Sequence, residues 1–228
     1  MAPAPLTSLV TGARRGIGAA LVQRLVERGP VLACARPPVP AEGPAEWLPL
    51  DVAQPEQFDA LERSLDGRPV DLVVCNAGLY ADRGENLADG YPVHMWADTF
   101  AVNVTGVFQT VQALLPSLQA AADAHGVARI AIVSSQMGSS ERASGGSYIY
   151  RASKAAATNL ARNLASDLRG LGIAVAAYHP GWVRTDMGGA SAAISVDESA
   201  DGLMARFDAL SLETTGQFLT WDGRLHPF

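Results

Sequence analysis

Tyr150 and Lys154 are four residues apart, the spacing that stacks two side chains on one face of a helix. Lys154 is the only lysine in the chain; of seventeen lysines and arginines, the other sixteen are arginine. Wherever an ordinary positive charge is needed, the chain uses arginine. A single compact ammonium therefore marks a position where the wide planar fork would not serve. A phenol beside a fixed ammonium is expected to have a lowered pKa, because the cation stabilises the phenolate. Such a pair makes a general acid or base near neutral pH. A pair on a solvated helix face would show the same spacing, so the surrounding residues decide between the two.

The element that must hold this pair is a helix over 148–168, with alanines and leucines on its buried stripe and Gly170 and Gly172 beyond its end. Before it lie an apolar strand over 129–133, Ser134 and Ser135 at the strand end, and a polar, glycine-rich loop over 136–147. At the amino-terminal end, residues 6–10 read as a short buried strand leading into Thr11-Gly-Ala-Arg-Arg-Gly-Ile-Gly18. An amphipathic helix follows, with Ile17, Leu21 and Leu25 spaced by four. Strand, glycine turn and helix form the context a dinucleotide fingerprint requires. Gly12, Gly16 and Gly18 permit a tight turn and close backbone approach, and the helix N-terminus meets a pyrophosphate with free N–H groups and a positive dipole end. A bare turn between strand and helix would use the same glycines.

The second strand, 31–35, ends at Arg36. An acidic residue there would bond the adenosine ribose of NAD, whereas an arginine suits the 2′-phosphate of NADP. Arg15 adds a second cation on the same side. With no acid competing at the strand end, NADP(H) is expected in preference to NAD(H), although two solvated arginines would read alike. A third strand over 47–50 ends at Asp51-Val52. Asp51 could accept from an adenine amino group or cap the helix over 55–65. A fourth strand over 70–75 runs into Asn76-Ala-Gly78, at a carboxyl end of the kind where doubly wound sheets bind ligands. After a loop over 79–92, a long helical stretch over 93–122 contains Asn103, a residue that lowers helix propensity. The sixth strand, 173–178, leads to His179-Pro-Gly-Trp-Val-Arg-Thr-Asp-Met187, followed by a mobile lid over 188–195, a helix over 197–210 and a strand over 216–220.

The alternation predicts an α/β fold, a single Rossmann-like doubly wound domain with a parallel seven-stranded sheet flanked by helices on both faces. At 228 residues the chain can bury a good core as one domain, 1–228, with a cofactor-binding part over about 1–135 and a catalytic and lid part over about 136–228. The net charge of −6 and scattered arginines argue against nucleic acid. There is no metal-ligand spacing, and Cys34 and Cys75 read as buried strand residues two strands apart, too far for a disulfide. Residues 1–5 lack a basic n-region and an apolar signal core, and no run spans a membrane, so the cytoplasm is expected.

Taken in order, Thr11-Gly-Ala-Arg-Arg-Gly-Ile-Gly18, Asp51-Val52, Asn76-Ala-Gly78, Asn103, Ser135, Tyr150-x-x-x-Lys154 and Pro180-Gly181 resemble the motif set of the short-chain dehydrogenases/reductases, over nearly the whole chain. The sequences around Tyr150 and His179 are also similar to the C-factor-like carbonyl-reductase branch. The resemblance implies a proton from Tyr150 to a substrate carbonyl as hydride arrives from NADPH. Lys154 would lower the phenol's pKa and bond the nicotinamide ribose, Ser135 would polarise the carbonyl, and Asn103 would hold a relay water. Val183 and Thr185 would hold the carboxamide, and Gly12, Arg14, Arg15, Gly16, Ile17, Gly18, Arg36, Asp51, Val52, Asn76, Ala77, Gly78, Pro180 and Gly181 would line the rest of the cofactor site. The family's serine lies thirteen residues before the tyrosine, where this chain has Met137. Ser135, at fifteen, implies a two-residue insertion, with Ser134 and Ser139 as rivals. Cys75 stands where the family often has a second Asn.

Gln136, Met137, Trp182 and Met187 fall where a substrate pocket is expected, mostly apolar and without an arginine clamp, Arg184 being a weak exception. His179 reads as a packed histidine, and Asn103 could alternatively bond backbone at a helix kink. The reaction implied is reduction of a ketone or aldehyde, or oxidation of an alcohol, by a homodimer or homotetramer. A different class, an NAD(P)H-binding signalling or regulatory protein independent of turnover, would use the same fold.

Overall fold

Seven short strands form the sheet: β1 (Ser8–Thr11), β2 (Val31–Ala35), β3 (Glu46–Pro49), β4 (Leu72–Cys75), β5 (Ala128–Val133), β6 (Ile173–His179) and β7 (Phe218–Thr220). The computed structural model describes residues 6–228, so the reading of residues 1–5 lies outside it. The order is β3-β2-β1-β4-β5-β6-β7, and every pairing is parallel. Both faces are covered, which is why the central strands are continuous apolar runs. The period of two divides them: Leu9, Val73, Ile130 and Val175 point into one layer, and Val10, Val74, Ala131 and Ala176 into the other. The first layer is closed by α2 (Phe58–Leu65), α4 (Gly106–His125) and α5 (Tyr148–Leu168), the second by α1 (Gly16–Leu25) and α6 (Val196–Ala209). The expected architecture is the one observed.

The chain leaves β1 for β2 on one side, then returns to pair β4 on the other. This reversal opens a crevice beyond the carboxyl ends of β1 and β4, where open α/β sheets bind ligands. The long helical stretch expected over 93–122 is broken differently from expectation. It comprises α3 (Val93–Phe100), a π-turn (Ala101–Thr105) and α4, which continues to His125. The π-turn surrounds Asn103, and such insertions mark places where a helix gives up its register for a side chain's sake. Cys34 and Cys75 are free and buried on β2 and β4, with β1 between them, and burial pushes each thiol up to about 12. Among the described residues, no helix is long and apolar enough to cross a membrane, and no cluster of potential metal ligands occurs.

Candidate active site

The helix carrying Tyr150 does not cap itself. Ser147, at its N-cap position, is left-handed (φ 46°), and its hydroxyl bonds the Tyr80 hydroxyl at 2.6 Å instead of the helix. The free N–H groups of the first turn are taken by Asp82, a fully buried carboxylate from the loop after β4. It accepts from Ile149 N at 2.8 Å and from Tyr150 N at 3.3 Å. A negative charge at this end also complements the helix dipole. The Tyr80 ring stacks on Tyr150, with centroids 4.2 Å apart and planes 19° from parallel. Arg83 reaches from the same loop over the Tyr80 ring and to the Met187 carbonyl in the segment after β6. By sequence alone this stretch reads as a loop over 79–92. An aromatic and an acid just behind a strand-end turn were the sole signal.

Tyr150 and Lys154 are both buried on one face of α5, and Lys154 Nζ lies 5.8 Å from the Tyr150 ring centroid. Nζ donates to the Val133 carbonyl at 2.9 Å. Gly78 leaves room beside them, since a Cβ there would stand 3.5 Å from Nζ and 3.6 Å from Asn103 Oδ1. The expected depression of the phenol's pKa is not what the structure gives. Burial pushes Tyr150 up to about 12, only partly offset by a hydrogen bond from Ser135, and burial brings Lys154 down to about 8. Desolvation outweighs the ammonium because Nζ is held by a carbonyl and faces the ring instead of bonding the phenol. The phenol is thus a proton donor at neutral pH.

The three candidate serines have separate partners. Ser134 Oγ lies 2.7 Å from Thr158 Oγ1 and donates to the Lys154 carbonyl at 3.1 Å, tying β5 to α5. Ser139 donates to the Phe228 carbonyl. Ser135 stands beside the phenol and also accepts from Met137 N at 3.1 Å, capping the short turn Gln136–Gly138. That turn passes so close to α5 that a Cβ on Gly138 would sit 2.6 Å from the Lys154 carbonyl carbon. Asn103 is fully buried. Its Oδ1 accepts from Leu79 N, and its Nδ2 donates to the Leu79 carbonyl and to Ser153 Oγ, all at 2.8–2.9 Å. Both amide hydrogens are therefore spent on clamping the β4 turn to α5.

Across the crevice, Thr11 Oγ1 accepts from the backbone N–H groups of Asn76 and Ala77, and Asn76 Nδ2 donates to the Thr11 and Gly12 carbonyls. Gly12 is left-handed (φ +65°), and a Cβ on Gly18 would meet the Gly12 carbonyl at 2.3 Å. The N-terminus of α1 has no side-chain cap and no acid in its first turn. Gly16 and Ile17 stand there half-buried behind exposed Arg14 and Arg15. Arg14 bonds the Pro38 carbonyl, Arg15 pairs with Asp186 at 2.6 Å, and Arg36 is exposed with no ion pair among the described residues. Asp51 Oδ1 accepts from Ala53 N, while Gln54, not Asp51, occupies the N-cap position before the turn Pro55–Gln57. Val52 is buried against Gly106.

A family model for the short chain dehydrogenase matches residues 7–194. The chain belongs to the short-chain dehydrogenase family. Among its relatives, the C-signal of Myxococcus xanthus is 37% identical over 165 residues, covering 70% of this chain and 93% of that protein. The 1-hydroxy-2-glutathionyl-2-methyl-3-butene dehydrogenase of Rhodococcus sp. is 32% identical over 229 residues, covering 95% and 97%. The NADPH-bound carbonyl reductase from chicken fatty liver superposes with a TM-score of 0.88 at 31% identity, covering 99% of this chain and 100% of that one. These likenesses put the chain on the carbonyl-reductase side of the short-chain dehydrogenases, an oxidoreductase family with nicotinamide-cofactor neighbours.

In this short-chain dehydrogenase the segment after β6 closes the crevice. The Thr185 methyl group would lie 3.3 Å from a Cβ on Gly16, so the segment bears on the glycine turn. The Pro180 carbonyl accepts from Ser199 at 2.6 Å, and Gly181 is left-handed (φ +90°). Val183 is buried and bridged to Ile194, and its N–H takes no backbone partner among the described residues. Gln136 and Trp182 line one cavity; Met137 and Met187 stand apart from it. Arg142 and Arg224 line the same cavity as Gln136 and Trp182. Arg184 is instead turned to the Ala192 and Ala193 carbonyls. His179 is buried, and burial lowers it to about 4, which keeps it neutral.

Proposed function

We propose that this protein is an NADPH-dependent carbonyl reductase, taking a ketone or aldehyde to its alcohol and running reversibly. The observation that carries the reading is a buried, protonated Tyr150 with Ser135 and Lys154 about it, at the mouth of the crevice between β1 and β4. The crevice fits a dinucleotide: the first turn of α1 is uncapped and acid-free, and the Gly12–Gly18 approach leaves no space for side chains. Gly12, Arg14, Arg15, Gly16, Ile17 and Gly18 would hold its phosphates, with Asp51, Val52, Asn76, Ala77 and Gly78 along the adenine side. Pro180, Gly181, Val183 and Thr185 would hold the nicotinamide end. When bound, the cofactor supplies the hydride.

The chain does the rest. Ser135 orients and polarises the carbonyl oxygen, Tyr150 gives it a proton, and Lys154 supplies a positive charge that favours the developing phenolate. Asn103 keeps the β4 turn and α5 in register, so that these groups face the crevice together. Arg36, unpaired at the end of β2, favours the extra phosphate of NADP over NAD. Assembly through α4 and α5 as a dimer or tetramer belongs to the same proposal.

The test is fluorescence titration with NADPH and NADH of wild type, Arg36→Asp and Tyr150→Phe, followed by carbonyl-dependent NADPH oxidation. Wild type should bind NADPH more tightly, and Arg36→Asp should shift that preference toward NADH. Tyr150→Phe should bind NADPH normally while kcat falls by about 10²–10⁴. Full activity in Tyr150→Phe would sink the mechanism. The kinship to a protein named C-signal favours one second reading, cofactor-dependent signalling without turnover. It would require folded Tyr150→Phe to keep the biological effect.

A further inference from the structure

The direction in which Tyr150 offers its hydroxyl depends on what holds its ring. Its backbone is fixed by Asp82, which accepts from Ile149 N at 2.8 Å and from Tyr150 N at 3.3 Å. The ring still turns about its side-chain bonds, and a proton donor must keep one direction. Tyr80 lies against its face, with centroids 4.2 Å apart and planes 19° from parallel. Stacked rings at that separation attract, and each resists rotation of the other. The ring that does the holding is itself held. The Tyr80 hydroxyl is 2.6 Å from Ser147 Oγ, and the Arg83 guanidinium stands 5.0 Å from the Tyr80 ring centroid.

The chain gives up local stability for this arrangement. Gly145, Gly146 and Ser147 are all left-handed, with φ of 74°, 65° and 46°. Glycine takes that conformation freely, but serine does so at a cost. Ser147 occupies the N-cap position of α5, where a serine hydroxyl ordinarily accepts from the first turn. Here it turns to Tyr80, and the buried carboxylate of Asp82 takes over the cap. One short segment, 80–83, thus supplies the stacked ring, the cap and a cation. An aromatic that merely filled space would need neither the hydroxyl contact nor the parallel face. The aim of the phenol matters because burial pushes it up to about 12, with Ser135 hydrogen-bonded to it. Such a group gives its proton only to an oxygen that it faces directly.

We propose that Tyr80 is a positioning residue: its stacked face, held in turn by Ser147 and Arg83, fixes the direction in which Tyr150 offers its proton. The proposal rests on the carbonyl-reductase reading for what that proton does, but the position of the ring is measured without turnover. The full chain is assayed as wild type, Tyr80→Leu, Tyr80→Phe and Tyr150→Phe, with NADPH and either 4-nitrobenzaldehyde or 4-nitroacetophenone. Leucine keeps an apolar cover without a flat face; phenylalanine keeps the face without the hydroxyl. In Tyr80→Leu, kcat should fall by about 10- to 100-fold, while KM and NADPH affinity stay within about twofold. Tyr80→Phe should recover most of that loss. The ring itself is followed by fluorine NMR of protein labelled with 3-fluorotyrosine, in which the Tyr150 resonance is the one absent from Tyr150→Phe. That resonance should move in Tyr80→Leu and return in Tyr80→Phe, while that of Tyr178, fully buried on β6, stays in place.

Wild-type kcat in Tyr80→Leu overturns the proposal, as does a Tyr150 resonance that does not move. A KM that rises while kcat holds also overturns it, because Tyr80 would then be a substrate contact. Equal losses in Tyr80→Phe and Tyr80→Leu overturn the stacked face as the device, leaving the hydroxyl in its place. If wild type reduces neither carbonyl, or Tyr150→Phe stays fully active, the reductase reading fails. A Tyr150 resonance that moves in Tyr80→Leu and returns in Tyr80→Phe then still sustains the positioning of the ring.

Discussion

Around the ends of β1 and β4, the crevice is held by backbone and by side chains next to it in sequence. Thr11 and Asn76 exchange hydrogen bonds with main-chain groups of the two turns, and Gly12 and Gly18 are excluded from bearing side chains by main-chain atoms. The half around α5 is held by side chains from elsewhere. Asp82 caps the helix, Tyr80 covers the Tyr150 ring, and Asn103 reaches Ser153 from a π-turn. The first half is shaped mainly by backbone contacts; the second buries both a cation, Lys154, and a carboxylate, Asp82. Binding geometry is thus built from shape, and reactivity from desolvated groups that cost stability.

The largest expected effect tests that cost. Lys154 has a folded pKa of about 8 against an ordinary 10.5, so burial disfavours its charged form. The penalty on folding is full below pH 8, shrinks between 8 and 10.5, and vanishes above. At 1.36 kcal/mol per pKa unit the penalty is about 3 kcal/mol, reduced by about 1 kcal/mol for the Val133 carbonyl bond it makes. Lys154→Met should therefore be more stable than wild type by about 2 kcal/mol at pH 7, with the gap closing as pH rises toward 10.5, while turnover is lost. Urea denaturation at several pH values measures it; a destabilised variant at pH 7 would show that the ammonium is better solvated than its burial implies.

The cradle should answer in the opposite sense. In Gly18→Ala the new methyl would meet the Gly12 carbonyl at 2.3 Å and Asn76 Nδ2 at 2.6 Å. Since the carbonyl is backbone, the turn must shift, at about 1–3 kcal/mol. Both Tm and NADPH affinity should fall together, and a variant with unchanged affinity would mean that the turn does not shape the cofactor site. The smallest effect is expected at the cap. Asp82→Asn keeps an acceptor for Ile149 N but loses the charge at the helix N-terminus, about 1 kcal/mol. Its signature should be a lowered kcat with KM nearly unchanged, measured by steady-state kinetics, because the tyrosine and not the pocket is displaced.

The same contrast explains what the sequence could convey. The parallel sheet, the glycine turn, Asn76 and the pairing of Tyr150 with Lys154 follow from periodicity and short spacings, and α5 begins and ends where expected. The role of loop 79–92 was not legible. Its effect lies in a contact between Asp82 and Ile149 across 67 positions, for which no local pattern exists. The phenol's pKa was misjudged for a related reason: helical spacing shows that an ammonium is near, but not that Val133 holds it or how dry the site is. Arg142 and Arg224 come to line one cavity only where the chain after β7 and the loop before α5 converge, which no local pattern announces.

The cap on α5 also bears on how the protein folds. Ser147 offers the helix nothing, so the first turn of α5 waits for an acceptor 67 residues upstream. Closing a loop of that length costs about 4 kcal/mol of chain entropy, a cost met only once β4 and β5 have paired and docked α5 against the sheet. Tyr150 is on that turn. A partly folded chain can contain most of α5 and still lack an ordered proton donor, so activity should return on refolding with the final, cooperative step and not with the recovery of helix.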